Sequence, residues 1–186
     1  MINDESRNGD LTDIAVIHLP HISNSTDFEP LQQEEGVRVR YITSPDELDN
    51  PHAIIIPGTK SVVADLVILR QSGLADAITQ QAEDGTPIIG ICGGFQMMGQ
   101  KIYDSLHIES QEGTTDGLGL LDVITIFQQD KTTYQSTARV VCDRGLFRGM
   151  NGQDITGYEI HSGQTMGKYV AAPFRIVARG DKRQNF

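Results

Sequence analysis

Tryptophan is absent from the chain, and only two cysteines occur, Cys92 and Cys142. Two thiols cannot form a disulfide framework. They fit a reducing compartment and leave room for one reactive sulfur. Basic residues are scarce: 15 Lys and Arg stand against 25 Asp and Glu, a formal net charge of −10. A nucleic-acid binder needs a cationic surface to displace counterions, so nucleic acid is not an expected partner. An anionic membrane surface would repel the same charge. Long apolar runs are missing too. Ala53–Ile56 is typical of those present, far below the roughly 20 residues that span a bilayer. The N-terminus, MINDESRNGD, has no signal-peptide character. A cytoplasmic protein is expected.

What is present is an ordinary globular balance. Hydrophobic residues make up 38% and charged residues 22% of 186, enough for one α/β domain with a real core. Residues 1–11 read as a flexible leader and 12–186 as the domain. Four short segments read as strands: the apolar 14–19 (IAVIHL), 53–56 (AIII) and 88–91 (IIGI), and the alternating 37–42 (VRVRYI). Helical spacing falls between them at 62–72 and 74–83, and a helix is expected near Asp27, with Pro30 in its first turn. Ser44 with Glu47 resembles a capping box. Continuous apolar strands alternating with helices predict a mostly parallel sheet covered by helices on both faces. The segment FQMMGQKI, from Phe95, has helical character. The second half changes style. Residues 118–127, 132–142 and 155–161 read as strands without long helices between them, which predicts an antiparallel extension.

The sharpest feature is Gly90-Ile91-Cys92-Gly93-Gly94, where an apolar strand runs into a glycine-flanked residue and then a helix. This is the pattern of a nucleophile elbow with cysteine as nucleophile. The nucleophile sits on a tight, strained turn, and neighbouring side chains must be absent for the chain to turn and for substrate to approach. A helix N-terminus behind such a sulfur favours the thiolate. The N–H after the nucleophile can face a developing oxyanion. A buried structural cysteine beside a glycine turn is the plainer alternative, and for Cys142, in the alternating stretch ARVVCD, it is the preferred one.

A second strand-to-loop junction, Pro57-Gly58-Thr59-Lys60-Ser61, should reach the same sheet edge, where ligands of open α/β sheets bind. N–H groups after Gly58 could supply the other half of an oxyanion hole. The loop also invites comparison with a phosphate loop, but the first glycine of that motif is missing. Farther on, His161 lies in Gly157-Tyr158-Glu159-Ile160-His161-Ser162-Gly163. It is a candidate base for a Cys–His pair, a binding residue, or a surface histidine. His18 and His21 flank Pro20, at the mouth of the same cleft; His52 and His107 have no comparable setting.

Five stretches together resemble one family: PHISNSTDFEPL (20–31), IIPGTKSVVADLVILRQSGL (55–74), GICGGFQMMGQKIYD (90–104), GLGLLDVIT (117–125) and GYEIHSGQT (157–165). The chain is similar to the class I, triad-type glutamine amidotransferase domain of cobyric acid synthase, from cobalamin biosynthesis. A related a,c-diamide synthase shares the elbow but not the wording of the other motifs. The resemblance implies a flavodoxin-like fold and a glutaminase. Cysteine attacks the side-chain amide of glutamine, ammonia leaves, and water hydrolyses the thioester. By this resemblance Cys92 is the nucleophile, Gly58 and Gly93 line the oxyanion hole, and Gln96, His161, Ser162 and Gly163 bind glutamine, with no metal. The implied partners are glutamine, a corrinoid substrate and an ATP-binding synthetase domain. ATP and magnesium belong to that domain, with no cofactor in this one.

Two features of the family are not found in these residues. Its catalytic histidine lies in a later motif of the type G-T-Y-L-H-G, and His161 belongs to the motif before it. Its synthetase domain would precede this region. The expectation is therefore a domain truncated at its C-terminus. The alternative is an impaired amidotransferase-like binding domain that lacks its base and its synthetase partner.

Overall fold

The computed structural model describes residues 11–168 and 172–180. The expected leader thus lies outside the described residues, apart from Leu11. Four parallel strands come first: β1 (Thr12–Ile17), β2 (Val37–Ile42), β3 (Ala53–Ile56) and β4 (Ile88–Gly90). Their order is β2-β1-β3-β4, with Ile54 opposite Ile88 and Ile56 opposite Gly90. A parallel sheet buries both faces of its inner strands, which is why β1 and β3 are apolar at consecutive positions while the edge strand β2 alternates. Ala15, Ile17, Ile54 and Ile56 point to one face and Val16 and Ile55 to the other, all buried.

The first face carries the main core. Helices α2 (Val62–Gln71) and α3 (Leu74–Glu83) cover it with Leu66, Leu69 and Ile78. Burying one such side chain contributes about 1.5–3 kcal/mol. Gly73 separates the helices at φ 80, a left-handed turn that glycine adopts without a Cβ penalty. The second face is covered more thinly. A 3₁₀ turn (Ser25–Phe28) and the four-residue α1 (Glu29–Gln32), with Pro30 in its first turn, bring Phe28 and Leu31 onto it. The capping box of Ser44 and Glu47 forms as expected.

The second half builds its own five-stranded mixed sheet, in place of a simple antiparallel extension. Its strands are β5 (Lys101–Tyr103), β6 (Thr114–Asp116), β7 (Val123–Val140), β8 (Asp154–Gly167) and β9 (Phe174–Arg179). The order is β6-β5-β7-β8, and β9 also pairs with β7. Only β5 and β7 run parallel. Two segments expected as separate strands fuse into the 18-residue β7, which ends before Cys142. The helical reading of FQMMGQKI also shortens. Helix α4 spans only Gly93–Met97. At Gly99 a Cβ would come 2.8 Å from the Val123 carbonyl oxygen, and Gln100 N–H donates to that same oxygen at 2.7 Å. Packing against β7 turns the chain there, and Lys101–Tyr103 becomes a strand. Among the described residues, no helix is long and apolar enough to cross a membrane.

Candidate active site

Strands β3 and β4 end side by side, and Ile91 N–H still donates to the Ile56 carbonyl at 3.0 Å. The chain then turns sharply at Cys92, with φ 50 and ψ −111. Positive φ is rare for a residue with a Cβ and costs on the order of 1–3 kcal/mol unless its surroundings impose it. The glycines explain how they do. A Cβ at Gly94 would lie 2.1 Å from the Ile56 carbonyl oxygen, and one at Gly90 2.6 Å from Phe95 Cα. Only bare backbone lets α4 start directly against β3. Cys92 is thereby left exposed at the carboxyl edge of the sheet.

The other expected residues converge on it. A Cβ built on Gly58 would be 3.5 Å from Cys92 Cβ, and one on Gly93 would be 2.8 Å from the Thr59 methyl and 3.3 Å from Thr59 N. The N–H groups of Gly58, Thr59 and Gly93 find no acceptor among the described residues. Unspent donors beside a nucleophile are what a developing oxyanion requires. Strand β8 crosses in front. Cys92 Sγ–H donates to the Ile160 carbonyl at 3.4 Å, and Gln96 Nε2–H donates to the Ser162 carbonyl at 3.0 Å. Gly163 has a structural reason to be glycine: its φ is 89, and a Cβ would sit 2.6 Å from the Ile126 carbonyl oxygen. It lies opposite the irregularity between Ile126 and Lys131 in the β7–β8 ladder.

His161 is part of this strand, but no hydrogen bond joins it to Cys92. Its Nδ1 faces the Gly163 carbonyl at 2.9 Å and its Nε2 faces Glu159 at 3.3 Å. Both nitrogens face acceptors, of which a neutral ring can donate to one, and neither nitrogen is hydrogen-bonded to Cys92 among the described residues. Glu159 also accepts from Arg179 at 2.8 and 3.0 Å and from Ser136 at 3.1 Å. Arg179 above all holds its carboxyl below the usual range, so it is a carboxylate at neutral pH.

The phosphate-loop reading of Gly58–Ser61 does not survive. Lys60 N–H is spent on the His21 carbonyl and Ser61 N–H on the Thr59 hydroxyl. At the start of α2, where a phosphate would sit, the Glu109 carboxylate accepts from Val63 N–H at 3.1 Å. His18 is exposed beyond β1, and His52 accepts from Asp13 N–H at the opposite end of that strand. No group of three metal-ligating side chains occurs among the described residues. Two open grooves of ≈ 430 Å³ lie beside Cys142 and do not include Cys92.

Sequence reasoning did not single out Asp65, whose side chain is fully buried and contacts Thr59 and His21. The available signal was a lone acid inside the apolar helix VVADLVIL.

Residues 13–185 match the profile of the CobB/CobQ-like glutamine amidotransferase domain. The chain belongs to that family. It is 46% identical over 171 residues to the cobyric acid synthase of Moorella thermoacetica, covering 91% of this chain and 33% of the relative. It is 48% identical over 153 residues to that of Dehalococcoides mccartyi, covering 82% and 30%. The amidotransferase domain thus spans about a third of the length of these relatives. In fold it matches the PurLQS structure from Thermotoga maritima, with a TM-score of 0.67 at 21% identity over 90% of this chain and 76% of that one.

Proposed function

We propose that this domain is the glutaminase of a cobyric acid synthase, releasing ammonia for amidation of corrinoid carboxylates. The observation that carries the reading is Cys92, held at positive φ among the unspent N–H groups of Gly58, Thr59 and Gly93. The Cys92 thiolate attacks the side-chain amide carbon of glutamine. The carbonyl oxygen becomes an oxyanion and takes the waiting N–H donors. The carbon–nitrogen bond breaks, the nitrogen gains a proton and ammonia departs. Water then cleaves the thioester to glutamate. In this reading Gln96 and the backbone of Ile160–Gly163, which border Cys92, contact the rest of the glutamine. The substrate replaces the thiol's bond to Ile160.

Ammonia departure needs a proton, and thioester hydrolysis needs an activated water. Positioned acid–base help contributes about 100- to 10,000-fold. Neither nitrogen of His161 is hydrogen-bonded to Cys92, so we assign the base to a histidine outside these 186 residues. ATP and magnesium act on the corrinoid carboxylate in a synthetase part of the enzyme, also outside this chain. The test is glutamate release from glutamine by the enzyme that contains this domain. Cys92→Ala should abolish it, while amidation supplied with ammonium salts persists. Unchanged glutamine-dependent amidation in Cys92→Ala refutes the assignment.

The competing reading, a domain that binds glutamine without turnover, is favoured by one observation: no base is hydrogen-bonded to Cys92 among the described residues. It predicts glutamine binding with no glutamate release, even by the longer enzyme.

A further inference from the structure

The mechanism leaves a fully buried carboxylate unused. Asp65, on the first turn of α2, has 0% side-chain exposure. One oxygen accepts from the Thr59 hydroxyl at 2.5 Å and the other faces His21 Nδ1 at 2.6 Å. A carboxylate can only accept, so the imidazole proton sits on Nδ1. The Thr59 hydroxyl has one hydrogen and two acceptors in reach, Asp65 and the His21 carbonyl at 3.0 Å. The nearer acceptor, Asp65, takes it. The same hydroxyl oxygen accepts from Ser61 N–H at 3.1 Å.

These contacts fasten two loops together. Ser23 N–H donates to the Gly58 carbonyl and Lys60 N–H to the His21 carbonyl, which makes Ile22 and Thr59 a narrow antiparallel pair. In such a pair the N–H of Thr59 points away from its partner strand. It lies on the side where a Gly93 Cβ would be 3.3 Å from Thr59 N. The γ-methyl of Thr59 rests against Gly93, so the orientation of this one side chain sets the Gly58–Thr59 loop against the start of α4.

We infer that Asp65 is a positioning residue for catalysis: through the Thr59 hydroxyl and His21 it holds Thr59 so that its N–H faces the oxyanion formed at Cys92. The inference rests on the glutaminase reading above. Buried polar groups preorganised in this way keep donors aimed without reorganisation during reaction.

The test uses the 186-residue chain and a 4-nitrophenyl γ-ester of glutamate at a pH where the Cys92 thiol gives its proton to solvent; the phenolate then leaves without a proton, so acylation needs no positioned acid or base. The burst of nitrophenolate above a Cys92→Ala background reads acylation. Alkylation of Cys92 by iodoacetamide, a displacement that forms no oxyanion, reads thiol access. Thr59→Val keeps the γ-methyl and removes the hydroxyl. It should slow saturated acylation about 10- to 100-fold, below the 100- to 1,000-fold typical of deleting a donor outright. Asp65→Asn should slow it in the same direction, and Thr59→Ser should restore acylation to within about threefold of the parent chain. The ester concentration at half-saturation and the iodoacetamide rate should stay within about twofold throughout. Parent-like acylation in Thr59→Val overturns the inference alone. So does an equal fall in both reactions, which marks a general structural role. No acylation by the parent chain overturns the glutaminase reading and the inference with it.

Discussion

Asp13→Asn should weaken the fold in a pH-dependent way and leave the chemistry of Cys92 untouched. Asp13 begins β1 at the sheet edge away from the elbow and is buried. Burial alone would raise its pKa. Hydrogen bonds from Arg40 and then Arg38, reinforced by their charges, overcome this and lower it from 3.8 to about 2. Arg40 reaches it through Nε at 3.0 Å and Nη2 at 2.8 Å, and Arg38 through Nε at 2.9 Å. A shift of that size corresponds to about 2.5 kcal/mol. Because the folded pKa lies below the unfolded one, this contribution is complete at neutral pH and fades as pH falls. About half should be gone near pH 3, and most near pH 2. Urea unfolding of both proteins between pH 7 and pH 3 checks this. The stability gap should be about 2–3 kcal/mol at pH 7 and shrink steadily below pH 5. A gap under about 0.5 kcal/mol at pH 7, or one that does not narrow on acidification, refutes the reasoning. The iodoacetamide rate at Cys92 is the control and should not move.

Three further outcomes are expected. Gly94→Ala places a methyl against the β3 backbone, where no flexible side chain can yield; it should cost at least about 1–3 kcal/mol and lower Cys92 acylation, as read by thermal unfolding and the nitrophenolate burst. Limited alkylation with peptide mapping should label exposed Cys92 well before half-buried Cys142, and equal labelling would argue against an activated site. In the enzyme containing this domain, His161→Ala should raise the half-saturating glutamine concentration more than it lowers kcat, because the ring braces β8 in preference to Cys92; a kcat loss of 1,000-fold or more, the upper part of the roughly 100- to 10,000-fold range for acid–base groups, would make it the base.

The parallel half was legible because its signals are local. Strands β2 and β3 begin and end where the expected segments do, since each is bounded by turn residues and buried by its neighbours. The second sheet was legible only in part: strands were expected where β7 and β8 lie, but not β5, β6 or β9. Its β7 holds TTYQST and its β9 is exposed along its whole length, so hydrophobic periodicity says little there. The end of α4 depends on Gly99 meeting Val123, a tertiary contact that no window around residue 95 contains. The same holds for Glu109, which caps α2 from 46 residues away and whose pKa burial pushes up.

The site divides along the same line. Glycines at 90, 93 and 94 mark the elbow because a Cβ at any of them would meet its neighbours within 3 Å, and that need is written in three positions. Asp65, Thr59 and His21 act through side-chain contacts between three separate segments, and each looks ordinary in its own segment. The side of the cleft to which the proposal assigns the oxyanion is therefore built by strand ends tied through the buried Asp65. The opposite wall is β8, an edge strand of the second sheet that holds Cys92 and Gln96 by backbone carbonyls alone. Carbonyls accept and do not transfer protons. In the proposed glutaminase such a wall would contact glutamine without supplying its proton chemistry, which is why the base is assigned to a group beyond both walls.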